Sequence, residues 1–212
     1  MKVIFNYNEE KDIWCLLNYG KSSNNSTTPT KTYEELISFV GENPRKEDAS
    51  KFIEKYMRDQ SVNVQEYINR YQNDWETVAD EYQRIAEKIF GVSLPKDVTV
   101  YLSINKRCPY NIGGNYFFVP VPAFGQRKIA MHELWHFYTW YKFGITWEEK
   151  IGKQKYNDLK EALTVLLNIE CKDILPRDIY DLGYPQHKEL REKIVQIWLE
   201  TRDIDKLWER LT

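Results

Sequence analysis

The sequence predicts an α+β protein, mostly helical with a small mixed or antiparallel sheet, and three observations carry that prediction. An apolar stripe at three- and four-residue spacing runs through residues 62–90, from Val64, Tyr67 and Ile68 to Ile85, Ala86 and Ile89. Two β-prone segments, 97–103 and 115–120, follow it. Helical patterns then return and continue to residue 211. The order helix, strands, helix, helix is that of an α+β chain.

The remaining elements follow in order. Residues 2–7 and 12–18 are β-prone and separated by a polar stretch, so they are expected to form a hairpin. The tract 21–30, KSSNNSTTPT, reads as a loop or linker. It divides a small N-terminal element, 1–30, from a main body, 31–212. Within it Asn24 and Asn25, followed by Ser26 and Thr27, fit a glycosylation acceptor pattern but are read as loop residues. Short helices are expected over 33–40 and 46–58, parted by Gly41-Glu42-Asn43-Pro44. The long stripe over 62–90 reads as one helix, with Gly91 at the place of a left-handed cap. Its large rings suit a core better than a coiled-coil seam. Pro109 and the Gly113-Gly114 pair make 105–114 a loop or wide hairpin connection. Pro120 and Pro122 mark the end of the second strand as an edge, because proline donates no ladder hydrogen bond. Helices are expected over 124–143, closed by Gly144, and over 156–169, 187–200 and 204–211.

Composition excludes several function classes. Lys and Arg number 30 and Asp and Glu 32, a balance with no electrostatic footprint for nucleic acid or an anionic membrane. No apolar run is long enough to span a bilayer. The first ten residues lack a signal-peptide core, so a cytoplasmic setting is expected. Cys15, Cys108 and Cys171 are far apart with no CxxC pair, which argues against a disulfide framework and a cysteine-type zinc site. The many aromatic rings are read as core.

Two of the chain's three histidines fall in His132-Glu133-Leu134-Trp135-His136, within the expected helix over 124–143. Residues four apart on a helix lie above one another on one face, so both imidazoles can hold one Zn²⁺. Glu133 then stands beside the place where water would be activated, as a general base that later returns the proton. Burying two imidazoles beside a carboxylate without a metal is costly. A zinc site, one Zn²⁺ per chain, is therefore expected.

This HExxH segment resembles the active-site helix of the zincin metallopeptidases. The resemblance extends in order of elements over about 62–168, and HExxH is its specific part. It implies a zincin-like catalytic domain over 31–212, an edge strand at 115–120 beside the active-site helix, and a peptide or protein substrate. It also implies a third ligand. A metzincin would continue the motif with a Gly and a third His, whereas here Phe137-Tyr138-Thr139-Trp140 follows. A gluzincin takes a glutamate from the next helix, which points to Glu161, with Asp158 as its competitor. Thr164 and Asn168 lie on the same polar stripe as possible supports. The thermolysin-like pattern places an aspartate four residues after the ligand, where this chain has Val165.

His187, the remaining histidine, admits three readings: a surface residue, a donor to the oxyanion of the tetrahedral intermediate, or the third ligand in place of Glu161. Tyr184 is a second candidate for the oxyanion role. Cys108 is read as incidental, although a thiolate could block zinc. The expected function is peptide-bond hydrolysis by a zinc-activated water. The alternative is a zincin-fold binding or regulatory protein without catalysis, against which the intact Glu133 argues. The oligomeric state is left open.

Overall fold

The computed structural model describes residues 1–22 and 27–212, apart from the Ile145 side chain; Asn24, Asn25 and Ser26 of the acceptor pattern, and that part of the linker, lie outside the described residues. It is an α+β structure, mostly helical, with one small mixed sheet. The chain divides into two compact units: Lys2–Thr77 with Lys96–Ile129, and Val78–Pro95 with Ala130–Thr212, to which Met1 adds.

The first unit holds the sheet. Strand β1 (Val3–Asn6) pairs parallel with β2 (Val98–Ser103), and β2 pairs parallel with β4 (Tyr116–Pro120). The two-residue β3 (Tyr110–Asn111) pairs antiparallel with β4, so the order is β1-β2-β4-β3. Two expectations are corrected here. Residues 105–114 do not connect a hairpin between β2 and β4, which are parallel. Nor is β4 an edge along its whole length: Phe118 N–H donates to the Pro109 carbonyl (3.0 Å) and β3 covers Tyr116 and Phe117, whereas the ladder to β3 does not extend to Val119 and Pro120, the end that the prolines mark. The outer edge of β1 is covered too. The Gln72 amide accepts from Phe5 N–H (3.0 Å) and donates to the Val3 carbonyl (3.2 Å), imitating a neighbouring strand.

Residues 12–18 are not a strand. They lie in helix α1 (Glu9–Tyr19), where Asn8 caps the N-terminus by accepting from Lys11 N–H at 2.9 Å. Glu9, Glu10 and Asp12 in the first turn complement the helix dipole. Ile13 and Leu16 are buried, while Trp14 stacks on Phe118 of β4. The hairpin expected for the N-terminus is thus replaced by a strand of the main sheet and a helix packed on it. Helices α2 (Lys31–Val40) and α3 (Lys46–Asp59) fall where the sequence places them.

The long helix expected over 62–90 is two helices, α4 (Val64–Glu76) and α5 (Ala79–Phe90). The chain leaves helical geometry at Val78 (φ −131°), and the Thr77 hydroxyl donates to the Asp74 carbonyl at 2.7 Å. The apolar stripe continues across the break, so its period conceals it: Tyr71, Trp75, Val78, Tyr82, Ala86 and Phe90 are all buried. Gly91 closes α5 in the left-handed conformation (φ 66°, ψ 20°), as expected.

The second unit is helical. Helix α6 (Gln126–Ile151) is two helices joined at Gly144, whose backbone (φ 14°, ψ −128°) is not helical, so the first of them ends where the sequence predicts. It is followed by α7 (Lys153–Leu163), a 3₁₀ turn (Thr164–Leu166), the short α8 (Leu167–Glu170), α9 (Lys188–Thr201) and α10 (Ile204–Leu211). Aromatic rings form the core. Phe90 meets Trp135 and Tyr138 (5.0 and 5.8 Å between centroids), and Phe143 stacks on Trp208 at 4.0 Å. The Tyr82 hydroxyl donates to the Met131 carbonyl (2.8 Å), tying α5 to the turn of α6 that carries His132.

Candidate metal centre

The helical period of α6 places His132 and His136 on one face, their ring centroids 4.6 Å apart. Glu161 reaches them from α7. Its Oε2 lies 3.4 Å from His136 Nε2 and 3.7 Å from His132 Nε2. These separations are too long for good hydrogen bonds. They match the edge of a tetrahedron: two ligand atoms each about 2.0 Å from a zinc ion stand about 3.3 Å apart. One donor atom from each of the three residues lies within 4.8 Å of the others. The set is two neutral-capable imidazoles and a carboxylate, with His136 and Glu161 buried, and this chemistry fits zinc.

The other nitrogen of His132 is held as well. Nδ1 lies 2.6 Å from Asp181 Oδ2, so Nδ1–H donates to the carboxylate and Nε2 is left for the centre. Asp181 is itself fixed on every side. Arg191 lies 3.0 Å from Asp181 Oδ1 and donates to its backbone carbonyl at 2.6 Å. The Thr164 hydroxyl is 2.8 Å from Asp181 Oδ1 and receives an Arg191 N–H at 3.0 Å. The Asn168 amide donates to the Asp181 carbonyl and accepts its N–H (2.8 and 2.7 Å). Gly183 completes the arrangement. It adopts φ +64°, and a Cβ there would sit 2.5 Å from Arg191 Nη1, so a side chain at this position would strain the backbone and displace Arg191.

The charges are strongly coupled. Burial alone would depress the His132 imidazole, but the Asp181 and Glu161 carboxylates outweigh it and raise its pKa to about 10. Burial lowers His136 to about 4 against the pull of Glu161. Burial would raise Glu161 and Asp181, yet both are held well below the usual carboxylate range. Glu161 answers to His136, His132 and Lys160, and Asp181 to His132 and Arg191. Glu133 is buried beside His132 and contributes to the field that raises it.

The structure therefore brings together His132, His136 and Glu161, with Glu133 on the same helix. Asp158 is not in this donor set. Its Oδ1 lies 3.1 Å from His187 Nε2. His187 is buried rather than a surface residue, and the donor set closes without it. The Tyr184 ring stands edge-on to His187 at 5.8 Å. Cys108 is half-buried in the sheet-bearing unit and outside the donor set. Thr164 and Asn168 do support the site, Asn168 through Asp181 and Thr164 through both Asp181 and the Glu161 backbone carbonyl, which lies 2.8 Å from its hydroxyl.

Around the centre, three buried charged residues escape the sequence reading: Asp181, Arg191 and Lys160. Two of them leave a trace. Arg191 shares the buried stripe of α9 with Ile194, Ile197 and Trp198, and Lys160 shares that of α7 with Tyr156, Leu159 and Leu163. A charge on an apolar stripe is the legible signal. Comparison with protein-family models, with curated proteins and with solved structures finds no match.

Proposed function

We propose that this protein is a zinc-dependent peptidase with a zincin-like catalytic arrangement of the gluzincin kind. The single observation that carries the reading is the tetrahedral-edge spacing of Glu161 Oε2 to His132 and His136 Nε2 (3.7 and 3.4 Å). In this reading His132, His136 and Glu161 hold Zn²⁺, which when bound supplies an electrophile for a carbonyl and activates water near neutral pH.

The chain's own residues do the rest. Asp181 orients His132. Glu133, buried one residue further along α6, takes a proton from water and returns it to the leaving amine. A buried carboxylate in that place is what a hydrolase needs and a purely structural zinc site does not. His187, oriented by Asp158, and Tyr184 are the candidates for steadying the oxyanion. The substrate is a peptide or protein, in line with the family resemblance of the HExxH segment. Among the described residues no helix is long and apolar enough to cross a membrane. The three free cysteines suit a reducing, cytoplasmic setting.

The test is hydrolysis of a broad peptide library by wild type and Glu133→Gln, each with its zinc content measured. We expect zinc in both and hydrolysis by wild type alone, with a loss of at least about 100-fold in the variant. Zinc in both with hydrolysis in neither would instead mark a binding protein.

A further inference from the structure

Lys160 is buried where the ligand set alone gives it no reason to be. It is 4 % exposed, immediately before Glu161 in α7, on the stripe of Tyr156, Leu159 and Leu163. An ammonium in such a place is strongly unfavourable unless a charged partner meets it. Its Nζ lies 3.3 Å from Glu161 Oε1. The other oxygen, Oε2, is the one that faces His136 and His132. The two oxygens of one carboxylate are thus divided, one toward an ammonium and one toward two imidazoles.

We propose that Lys160 is a positioning residue that holds Glu161 Oε1, so that Oε2 alone is offered to the metal and one coordination place stays open for substrate or water. The inference rests on the metal-site reading above. A carboxylate can bind a cation through one oxygen or through both, and binding through both takes up an additional position. Hydrolytic zinc sites keep three protein ligands and an open fourth place. An ammonium held against Oε1 draws on the lone pairs that would otherwise turn to the metal, and opposes the rotation that would bring them there. Lys160 is itself a cation, so as a simple counter-charge it would oppose metal binding without altering the coordination. Positioning and counter-charge therefore predict different results.

The experiment uses the full chain loaded with Co²⁺, whose visible d–d absorption is strong in tetrahedral sites and several-fold weaker at higher coordination. Wild type is compared with Lys160→Met and Lys160→Arg. Wild type should show the strong four-coordinate spectrum. Lys160→Met should still bind one Co²⁺, with its d–d absorption reduced several-fold, and Lys160→Arg should restore the intensity. A Lys160→Met protein with the wild-type spectrum, or a folded one that binds no metal, overturns the proposal. If Lys160→Met fails to fold by circular dichroism, X-ray absorption of zinc-loaded wild type decides. Four light-atom ligands at about 2.0 Å support it, and a fifth from a second carboxylate oxygen overturns it. Wild type that binds neither Co²⁺ nor Zn²⁺ is a separate outcome, which removes the metal-site reading itself.

Discussion

The two ring nitrogens of His132 have separate tasks, and Asp181 assigns them. With Asp181 Oδ2 2.6 Å from Nδ1, the tautomer that leaves Nε2 toward Glu161 is favoured and the ring cannot turn. Asp181→Ala should therefore weaken zinc binding by about 10- to 100-fold, measured by competition with a chromophoric chelator. Unchanged affinity would show that Asp181 has no part in orienting the ligand. The support of Asp181 is equally specific. Gly183→Ala would force a Cβ into Arg191 and strain a left-handed backbone, at a cost of roughly 1–3 kcal/mol in denaturant unfolding. At this scale the sequence displays the HExxH ligands because their spacing is local. Asp181 was invisible because its partner lies 49 residues away, and an aspartate in a loop with glycine looks like any turn residue.

Among the elements, α1 shows where local pattern misleads. Its Ile-Trp-Cys-Leu-Leu run has strand composition, but a cap, an acidic first turn and a sheet face to pack on make it helical. The long stripe over 62–90 misleads in the opposite way, because the buried rings keep their period across the Val78 break. The bounds of β2, β4, α9 and α10 were legible, since turn residues and caps delimit them. Strand pairing was not. The parallel register of β1, β2 and β4 and the covering of β4 by β3 depend on long-range contacts.

Helix α1 also carries a pH dependence. Asp12 is fully buried and accepts from the Ser103 hydroxyl (2.6 Å) and Ile104 N–H (3.1 Å). Burial raises its carboxyl to about 7, with Ser103, Ile104 and Tyr7 opposing the rise. The folded protein then holds a proton that the unfolded chain has lost, so this contribution is complete below about pH 4 and declines as pH rises through about 7. Chemical denaturation of wild type minus Asp12→Asn should show that decline, on the order of a few kcal/mol. A difference that does not change with pH would contradict the assignment.

For the molecule as a whole, the proposed metal site would link metal binding to the fold. The ligands come from α6 and α7 and their support from the loop before α9, so binding draws on three separate parts of the second unit. Zinc that binds only the folded chain should stabilise it by about 2.7 kcal/mol when free zinc stands at about 100 times its Kd. Thermal unfolding with zinc against chelator would read this as a raised midpoint, and no shift would mean no folded-state site. The aromatic richness belongs to this scale too, since Trp135, Tyr138, Phe143 and Trp208 are core residues of that same unit. That much was legible from composition, whereas the division into two compact units was not, because each is assembled from segments distant in the chain.

The central claim is that His132, His136 and Glu161 form one zinc site. Its most direct test is zinc stoichiometry and affinity for wild type, His136→Ala, Glu161→Ala and His187→Ala, measured side by side. The account predicts one zinc per chain in wild type and in His187→Ala, with binding lost or strongly weakened in the other two. A wild type without zinc would contradict it, and so would Glu161→Ala retaining full affinity while His187→Ala loses it.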